Sequence, residues 1–177
     1  MELTSNGVTI QVDESTVMKM IVKRLSDESI PSTLIPIPVR IGEVWTGEGG
    51  IYAGIMRGRE GSPDYHLIVG PEIDESIWNN ADDDIWRSAQ TKADELCQDG
   101  HKDFTLPFRA EQALLFANVP ELFKKEHYWS REQHAEHADY AWCQHFGNVI
   151  QDYGYKSNNI RARAVRRLII QLGDQNV

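Results

Sequence analysis

The feature that most constrains this chain lies in its C-terminal third, where aromatic and basic anchors recur at short intervals. Trp129, Trp142 and Phe146 are separated by segments rich in His, Asn, Asp, Gln and Tyr, and four arginines follow between positions 161 and 167. Apolar anchors at fixed intervals fix a scaffold, whereas the residue types between them are typical of surfaces that bind other molecules. The layout therefore predicts a rigid scaffold that displays a polar, aromatic-rich surface. It favours recognition over catalysis.

Composition limits the classes of partner. The chain has 177 residues, 41% of them hydrophobic, and its mean hydropathy is -0.47. No apolar run reaches the length of a membrane span, so we expect no membrane insertion. The net charge of -9 disfavours general nucleic-acid binding. The charge is uneven: residues 72–103 hold ten acids and three bases, whereas residues 156–167 hold five bases and no acid.

Periodicity predicts an N-terminal appendage over residues 1–39 and a domain over residues 40–177. The appendage combines a strand near Val8 to Val12, a short helix through Leu25 and a proline-rich linker. In the domain we expect helices over 87–98 and 108–118, an acidic loop over 78–86, and strands at 41–45, 51–56, 65–69, 128–129, 140–146, 149–155 and 160–170. This order predicts an α+β fold with two helices against a twisted antiparallel sheet and long loops on one side.

The order of several short motifs is similar to that of a known family. The domain resembles the C-type-lectin-like domains related to the C-terminal domain of the collagen-like adhesin Lcl, which occur in bacteria, prophages and tailed phages. It also resembles the variable proteins of diversity-generating retroelements. The motifs are Gly49-Gly50-Ile51-Tyr52-Ala53-Gly54, Tyr65-His66-Leu67-Ile68-Val69, Leu106-Pro107 with Glu111 and Leu114-Leu115, Tyr128-Trp129-Ser130, Ala141-Trp142 with Phe146, and the stretch from Arg161 to Arg167.

The resemblance implies a C-type-lectin-like fold over about residues 40 to 170, with ligand-binding residues between the Trp-Ser motif and the arginines. We therefore expect the ligand-binding surface to include His134, His137, Asp139, Tyr140, His145, Asn148, Tyr153, Tyr155 and Asn158. Ordinary surface residues between strands are the alternative for this interval. Two positions differ from the family pattern: Arg131 stands where a second Ser is usual, and Asn148-Val149-Ile150 stands where a Gly is frequent.

Other candidate sites have simpler explanations. His127, His134, His137, His145 and Cys143 lack a recognised zinc spacing, and Asp82, Asp83 and Asp84 suit a solvated loop as well as a calcium site. The four arginines could bind an anion or pair with carboxylates, and the resemblance favours pairing. Cys97 and Cys143 are expected to be reduced thiols. No catalytic motif is present, so we expect no catalytic residue, no metal and no cofactor.

These observations predict a non-catalytic recognition module of phage or prophage origin that binds a protein or glycan. One alternative is an intracellular counter-defence inhibitor that uses the acidic 72–103 surface. Another is a virion accessory protein that attaches through residues 1–40. Without a visible secretion signal, we expect the host cytoplasm or the virion as its location. Homo-oligomerisation stays open.

Overall fold

The computed structural model describes residues 2–5, 8–11, 40–73 and 84–170. The chain divides into two compact units, Met1–Ile37 and Pro38–Val177. In the first unit, β1 (Glu2–Ser5) pairs with β2 (Val8–Gln11) as an antiparallel hairpin. The predicted helix through Leu25 and the proline-rich linker lie outside the described residues.

The second unit has the predicted α+β class, which is confirmed by two helices and two antiparallel sheets in its described part. The strands predicted as one sheet separate into a four-stranded and a three-stranded sheet. The four-stranded sheet has the order β3-β4-β5-β9 and is formed by β3 (Val44–Trp45), β4 (Gly50–Met56), β5 (Tyr65–Ile73) and β9 (Ala162–Ile169). A bulge shifts the β4–β5 register at Gly54, whose φ of 120° suits glycine.

The three-stranded sheet carries the interval where the sequence predicts ligand binding. Its order is β6-β7-β8, formed by β6 (His127–Gln133), β7 (Tyr140–His145) and β8 (Gln151–Tyr155). A main-chain bridge between Tyr128 and Arg161 connects β6 to the residue before β9. Thr105 pairs with Val165 on β9 through two main-chain hydrogen bonds. The two sheets are therefore joined along β9 and the segment that precedes it.

Helix α1 (Ile85–Asp94) differs from the predicted 87–98. It begins earlier because the side chain of Asp84 accepts the main-chain N–H of Arg87, as an N-cap does. It ends earlier because Gln98 and His101 pair across a tight turn whose central residues, Asp99 and Gly100, both have positive φ. Of the predicted acidic loop, residues 78–83 lie outside the described residues and 85–86 belong to the helix.

Helix α2 (Arg109–Asn118) agrees with the prediction to within one residue. Each helix covers one part of the core. Around α1 the buried cluster comprises Ile73, Ile85, Trp86, Ala89, Ala93, Phe104, Leu106, Trp129, Ala141, Cys143, Ala162 and Ala164. Around α2 it comprises Ala53, Leu67, Val69, Leu115, Val119, Phe123, Tyr128, Phe146 and Val165. Strand β9 contributes to both clusters, so its side chains connect the two halves of the domain.

The β9 arginines pair with carboxylates, as the resemblance favours. Arg161 and Arg163 both contact Glu72 on β5. Arg166 pairs with the buried Glu48 and, at 2.7 Å, with Asp103. Arg167 pairs with Glu111 of α2. Each of the four arginines in the motif is thus paired with a carboxylate on a neighbouring element.

The pair of Arg167 with Glu111 is the most enclosed. Glu111 is fully buried, and its two oxygens accept from Arg167 at 2.6 and 2.7 Å. They also accept from the hydroxyl of Tyr65 and the main-chain N–H of Phe108, both at 2.7 Å. Burial is the largest single effect on Arg167 and lowers its pKa, but the hydrogen bonds and charges of Glu111 and Tyr65 together outweigh it, so the pKa of Arg167 is raised. The carboxylate is therefore fully satisfied only while Arg167 is in place.

We expect Arg167→Met to lower the free energy of unfolding by about 3–5 kcal/mol, because it leaves a buried carboxylate without its cation. Urea denaturation at neutral pH measures the loss. Arg87→Met is the matched control, since the pair of Arg87 with Asp84 is largely exposed and its removal should change stability by at most ~1 kcal/mol. Equal losses in the two variants would contradict a structural role for the Arg167 pair.

Candidate functional site

One surface of β7 and β8 is built from aromatic pairs that face each other across the strands. Tyr140 lies opposite Tyr155, and Trp142 lies opposite Tyr153. Because side chains alternate between the faces of a strand, these four rings project from the same face. We call them, with His134 and His137 beside them, the aromatic face.

The rings of the aromatic face are in mutual contact. The Tyr140 and Tyr155 centroids lie 4.2 Å apart, and Tyr153 contacts Tyr140 and Trp142, each at 5.5 Å with near-perpendicular planes. Edge-to-face contacts of this kind are favourable and hold each ring in place. Tyr153 and Tyr155 are nevertheless 44% and 53% exposed. The face is therefore ordered by its own contacts while Tyr153 and Tyr155 stay open to solvent.

His134 lies at the centre of the aromatic face. Its ring stacks on His137 at 5.0 Å and on Trp142 at 5.4 Å, and it meets Tyr153 edge-on at 4.7 Å. Its Nδ1 accepts the main-chain N–H of Glu136 at 3.2 Å, so the neutral ring carries its proton on Nε2. This bond belongs to the turn between β6 and β7, which places both histidines against the strands.

Arg109, the first residue of α2, extends the aromatic face toward the helix. Its guanidinium lies 3.5 Å from the Trp142 ring centroid, and its buried Nε has no hydrogen-bond partner. Its main-chain N–H donates to the carboxylate of Glu132 at 2.6 Å, a favourable place for an anion at a helix start. Beside these groups lies an open depression of about 530 Å³, lined by Arg109, Glu132, Gln133, His134, Ala135, Glu136 and Trp142.

A glutamine chain on the same side of the sheet as the aromatic face fixes the ends of β7 and β8 to α2. Gln151 donates to Gln144 on β7 at 2.9 Å and to the carbonyl of Arg109 at 2.7 Å. Gln144 donates to the carbonyl of Gln112, whose side chain donates to the carbonyl of Tyr128. Gln144 and Gln112 are buried, so these bonds are shielded from water. The strands that carry the aromatic face are therefore fixed to α2 by buried hydrogen bonds.

The structure places five of the nine predicted residues on the aromatic face: His134, His137, Tyr140, Tyr153 and Tyr155. Asp139 flanks it, in the turn before Tyr140, and contributes to raising the pKa of Tyr140 to about 12, after the larger effect of the hydrogen bond with Tyr155. The other three lie elsewhere. His145 contacts His127 at 4.7 Å, Asn148 accepts the N–H of Ile150 in the β7–β8 turn, and Asn158 lines a second depression.

The second depression, of about 430 Å³, is lined by His127, Cys143, Asp152, Tyr153, Gly154, Asn158, Asn159 and Ile160. Burial lowers the pKa of His127, and the neighbouring His145 lowers it further. Burial raises the pKa of Cys143 to about 12, so the thiol is neutral. In the described part of the chain, no three His, Cys, Asp or Glu side chains are grouped so that they could hold a metal ion.

Sequence reasoning missed two members of this region. Trp142 was expected to be a scaffold anchor, yet it is half-buried and contacts Arg109, His134 and Tyr153. The alternation of Tyr140, Trp142 and Gln144 carries the signal for this placement, because a strand puts all three on one face. No local signal identifies Arg109, whose partner ring lies 33 positions away in the sequence.

No protein-family model matches this chain, and no curated protein matches it either. None of the helices among the described residues is long and apolar enough to cross a membrane.

Val149 generates the first prediction for this region. It has a φ of 69°, a strained conformation for a β-branched residue, in the turn between β7 and β8. Its side chain is 57% exposed, so little packing would be lost. We expect Val149→Gly to raise the free energy of unfolding by up to ~1 kcal/mol, because relief of strain exceeds the added chain entropy. Urea denaturation measures it, and Val149→Ala, which keeps a Cβ, should gain less.

The two thiols generate a second prediction. Cys97 is exposed, whereas Cys143 is buried and its pKa is raised to about 12. Since the thiolate is the reactive form, we expect a thiol reagent at pH 8 to label Cys97 rapidly and Cys143 only after denaturation. Mass spectrometry of the labelled peptides distinguishes the two. In Cys97→Ser, rapid labelling of the native protein would contradict the enclosed position of Cys143.

Proposed function

We propose that residues 40–177 form a non-catalytic recognition module that binds a partner through the aromatic face. The observation that carries this proposal is the set of six contacting rings, of which His137, Tyr153 and Tyr155 are exposed, on strands fixed by buried hydrogen bonds. Exposed contiguous aromatic surfaces are uncommon on proteins without a partner. Rigid aromatic residues supply contact area at little entropic cost, which is why they dominate binding energies.

The chemistry around the histidines supports binding rather than turnover. In the described part of the chain, neither His134 nor His137 is hydrogen-bonded to a Ser, Thr or Cys side chain that could serve as a nucleophile. Both contact aromatic rings, and the Nδ1 of His134 is used by a main-chain N–H. Glu132, the carboxylate nearest Arg109, serves the start of α2. These groups therefore have structural roles within the face.

The resemblance to C-type-lectin-like domains and to retroelement variable proteins supports a phage or prophage origin for the module. The proposed partner is a protein or glycan of the host. The proposed location is the host cytoplasm or the virion. Two helices and two antiparallel sheets are compatible with that family assignment, which is part of the proposal.

The alternative of an inhibitor with an acidic binding surface has less support. Of the acids between 72 and 103 that the structure describes, Glu72 and Asp103 pair with β9 arginines, Asp84 caps α1, and Glu95 contacts Lys92. These carboxylates are used within the domain. The third alternative, attachment through residues 1–40, rests on a segment of which the structure describes one hairpin.

The test is capture of a partner from host lysate and envelope fractions, followed by affinity measurement with that partner in purified form. We expect Tyr153→Ala and Tyr155→Ala each to weaken binding by about 2 kcal/mol or more if the ring is an anchor, roughly a thirtyfold change in Kd. Ile55→Ala and Val44→Ala are the controls, because both side chains are exposed apolar groups on the four-stranded sheet. They should leave the affinity unchanged. A partner retained equally by the tyrosine variants would refute the proposed binding surface.

A further inference from the structure

Two carboxylates beside the aromatic face differ from the others described above. Glu136 lines the depression next to Trp142, and Asp139 immediately precedes Tyr140. Among the described residues neither has a cationic partner, whereas Glu48, Glu72 and Glu111 are each held by an arginine. The charges of Glu136 and Asp139 at the border of the aromatic face are therefore not paired with a cationic side chain of the described residues.

The basic groups nearest these carboxylates are already engaged. Lys156 donates to the side chain of Gln133 at 2.8 Å and lies over the Trp86 ring. Arg109 lies on Trp142. Lys156 reaches Asp139 only through its main-chain N–H, which donates to the Asp139 carbonyl at 2.9 Å, and neither basic side chain forms an ion pair with Glu136 or Asp139. Within the described ranges, no cationic side chain of the protein neutralises the border of the face.

Arg109 also shows which chemistry the rings accept. Its guanidinium lies against the face of Trp142 at 3.5 Å, and its Nε is buried without an acceptor. The contact is one between a cation and a negatively polarised ring face, which is worth more when water is excluded. The ring cluster therefore already holds one guanidinium that no described carboxylate neutralises.

The remaining ring faces and the free carboxylates have the same electrostatic sign. An aromatic ring presents partial negative charge on its face, and Asp139 and Glu136 add full charges at the border. The chain as a whole carries a net charge of -9. Outside the Trp142 ring face, which Arg109 occupies, a cationic group is attracted by the tyrosine rings and by the two carboxylates, whereas an anionic partner would be repelled by them.

We propose that the aromatic face binds a basic protein segment, with an arginine or lysine side chain stacked on Tyr140, Tyr153 and Tyr155 and paired with Asp139 or Glu136. This inference rests on the proposed recognition function and names the class of its partner.

The experiment is an NMR titration of the full-length ¹⁵N-labelled protein at low ionic strength with an acetylated tetra-arginine amide. We expect amide shifts concentrated in residues 134–142 and 151–155. The matched tetra-citrulline peptide has nearly the same shape without charge and should bind much more weakly. Equal binding of the citrulline peptide, or shifts centred on α1 instead, would overturn the inference.

Matched variants separate ring contacts from general attraction to an acidic protein. Tyr153→Leu and Tyr155→Leu keep the net charge, and each should weaken arginine-peptide binding about two- to fivefold, whereas Tyr155→Phe should retain it. Asp139→Asn should weaken binding more than Asp94→Asn, which removes the same charge from exposed α1. Dispersed amide spectra confirm that each variant is folded. Unchanged affinity in both leucine variants would overturn the inference.

The two proposals fail in different ways. If partner capture depends on Tyr153 and Tyr155 but the arginine peptide does not bind the face, the recognition function stands and the basic partner is excluded. If partner capture ignores the tyrosines, the recognition function itself is refuted.

Discussion

The pairing of the β9 arginines with carboxylates is the interaction on which the rest of the domain depends. Glu72, Glu48 and Glu111 come from β5, from the turn before β4 and from α2, and each is held by this one strand. The main chain of β9 is meanwhile bonded to β5 on one side and to Thr105 on the other. A buried carboxylate that loses its arginine is costly, so these pairs specify which elements must meet β9.

The same strand determines where the aromatic face can form. Trp129 donates its main-chain N–H to the carbonyl of Arg161, and Arg161 donates to the carbonyl of His127, so β6 is held to the chain that leads into β9. Strands β7 and β8 then follow from β6 by antiparallel pairing, and the glutamine chain fixes them to α2. Tyr153 and Tyr155 can stay exposed because the positions of their strands are determined by buried hydrogen bonds at the end of the same strands rather than by burial of these two rings.

The sequence predicts where the strands and helices lie better than it predicts which strands pair. Local signals locate β4 and α2 to within one residue and give the start of β5, but β5 runs to Ile73, four residues beyond the predicted end. The division into two sheets depends on which strands pair, and that is decided by long-range contacts such as Arg167 with Glu111. Likewise the interval 131–159 could be identified from residue type, but the face on which His145 or Asn158 lies depends on strand register and loop path. Residue type alone therefore placed His145 and Asn158 in one group with the tyrosines, whereas the fold puts them away from the aromatic face.

Tyr153 and Tyr155 of the aromatic face lie on β8, at the edge of their sheet, where exposed apolar side chains favour aggregation. Charged groups beside them oppose it. Edge strands present unpaired main-chain groups that recruit other strands. On β8, the main-chain N–H of Tyr153 is occupied by the carboxylate of Asp152 at 2.8 Å, which also places a charge on the edge. Asp139 and Glu136 add charge at the border of the rings. Negative charge that opposes pairing at the edge is thus of the same sign as the charge that would favour the proposed cationic partner.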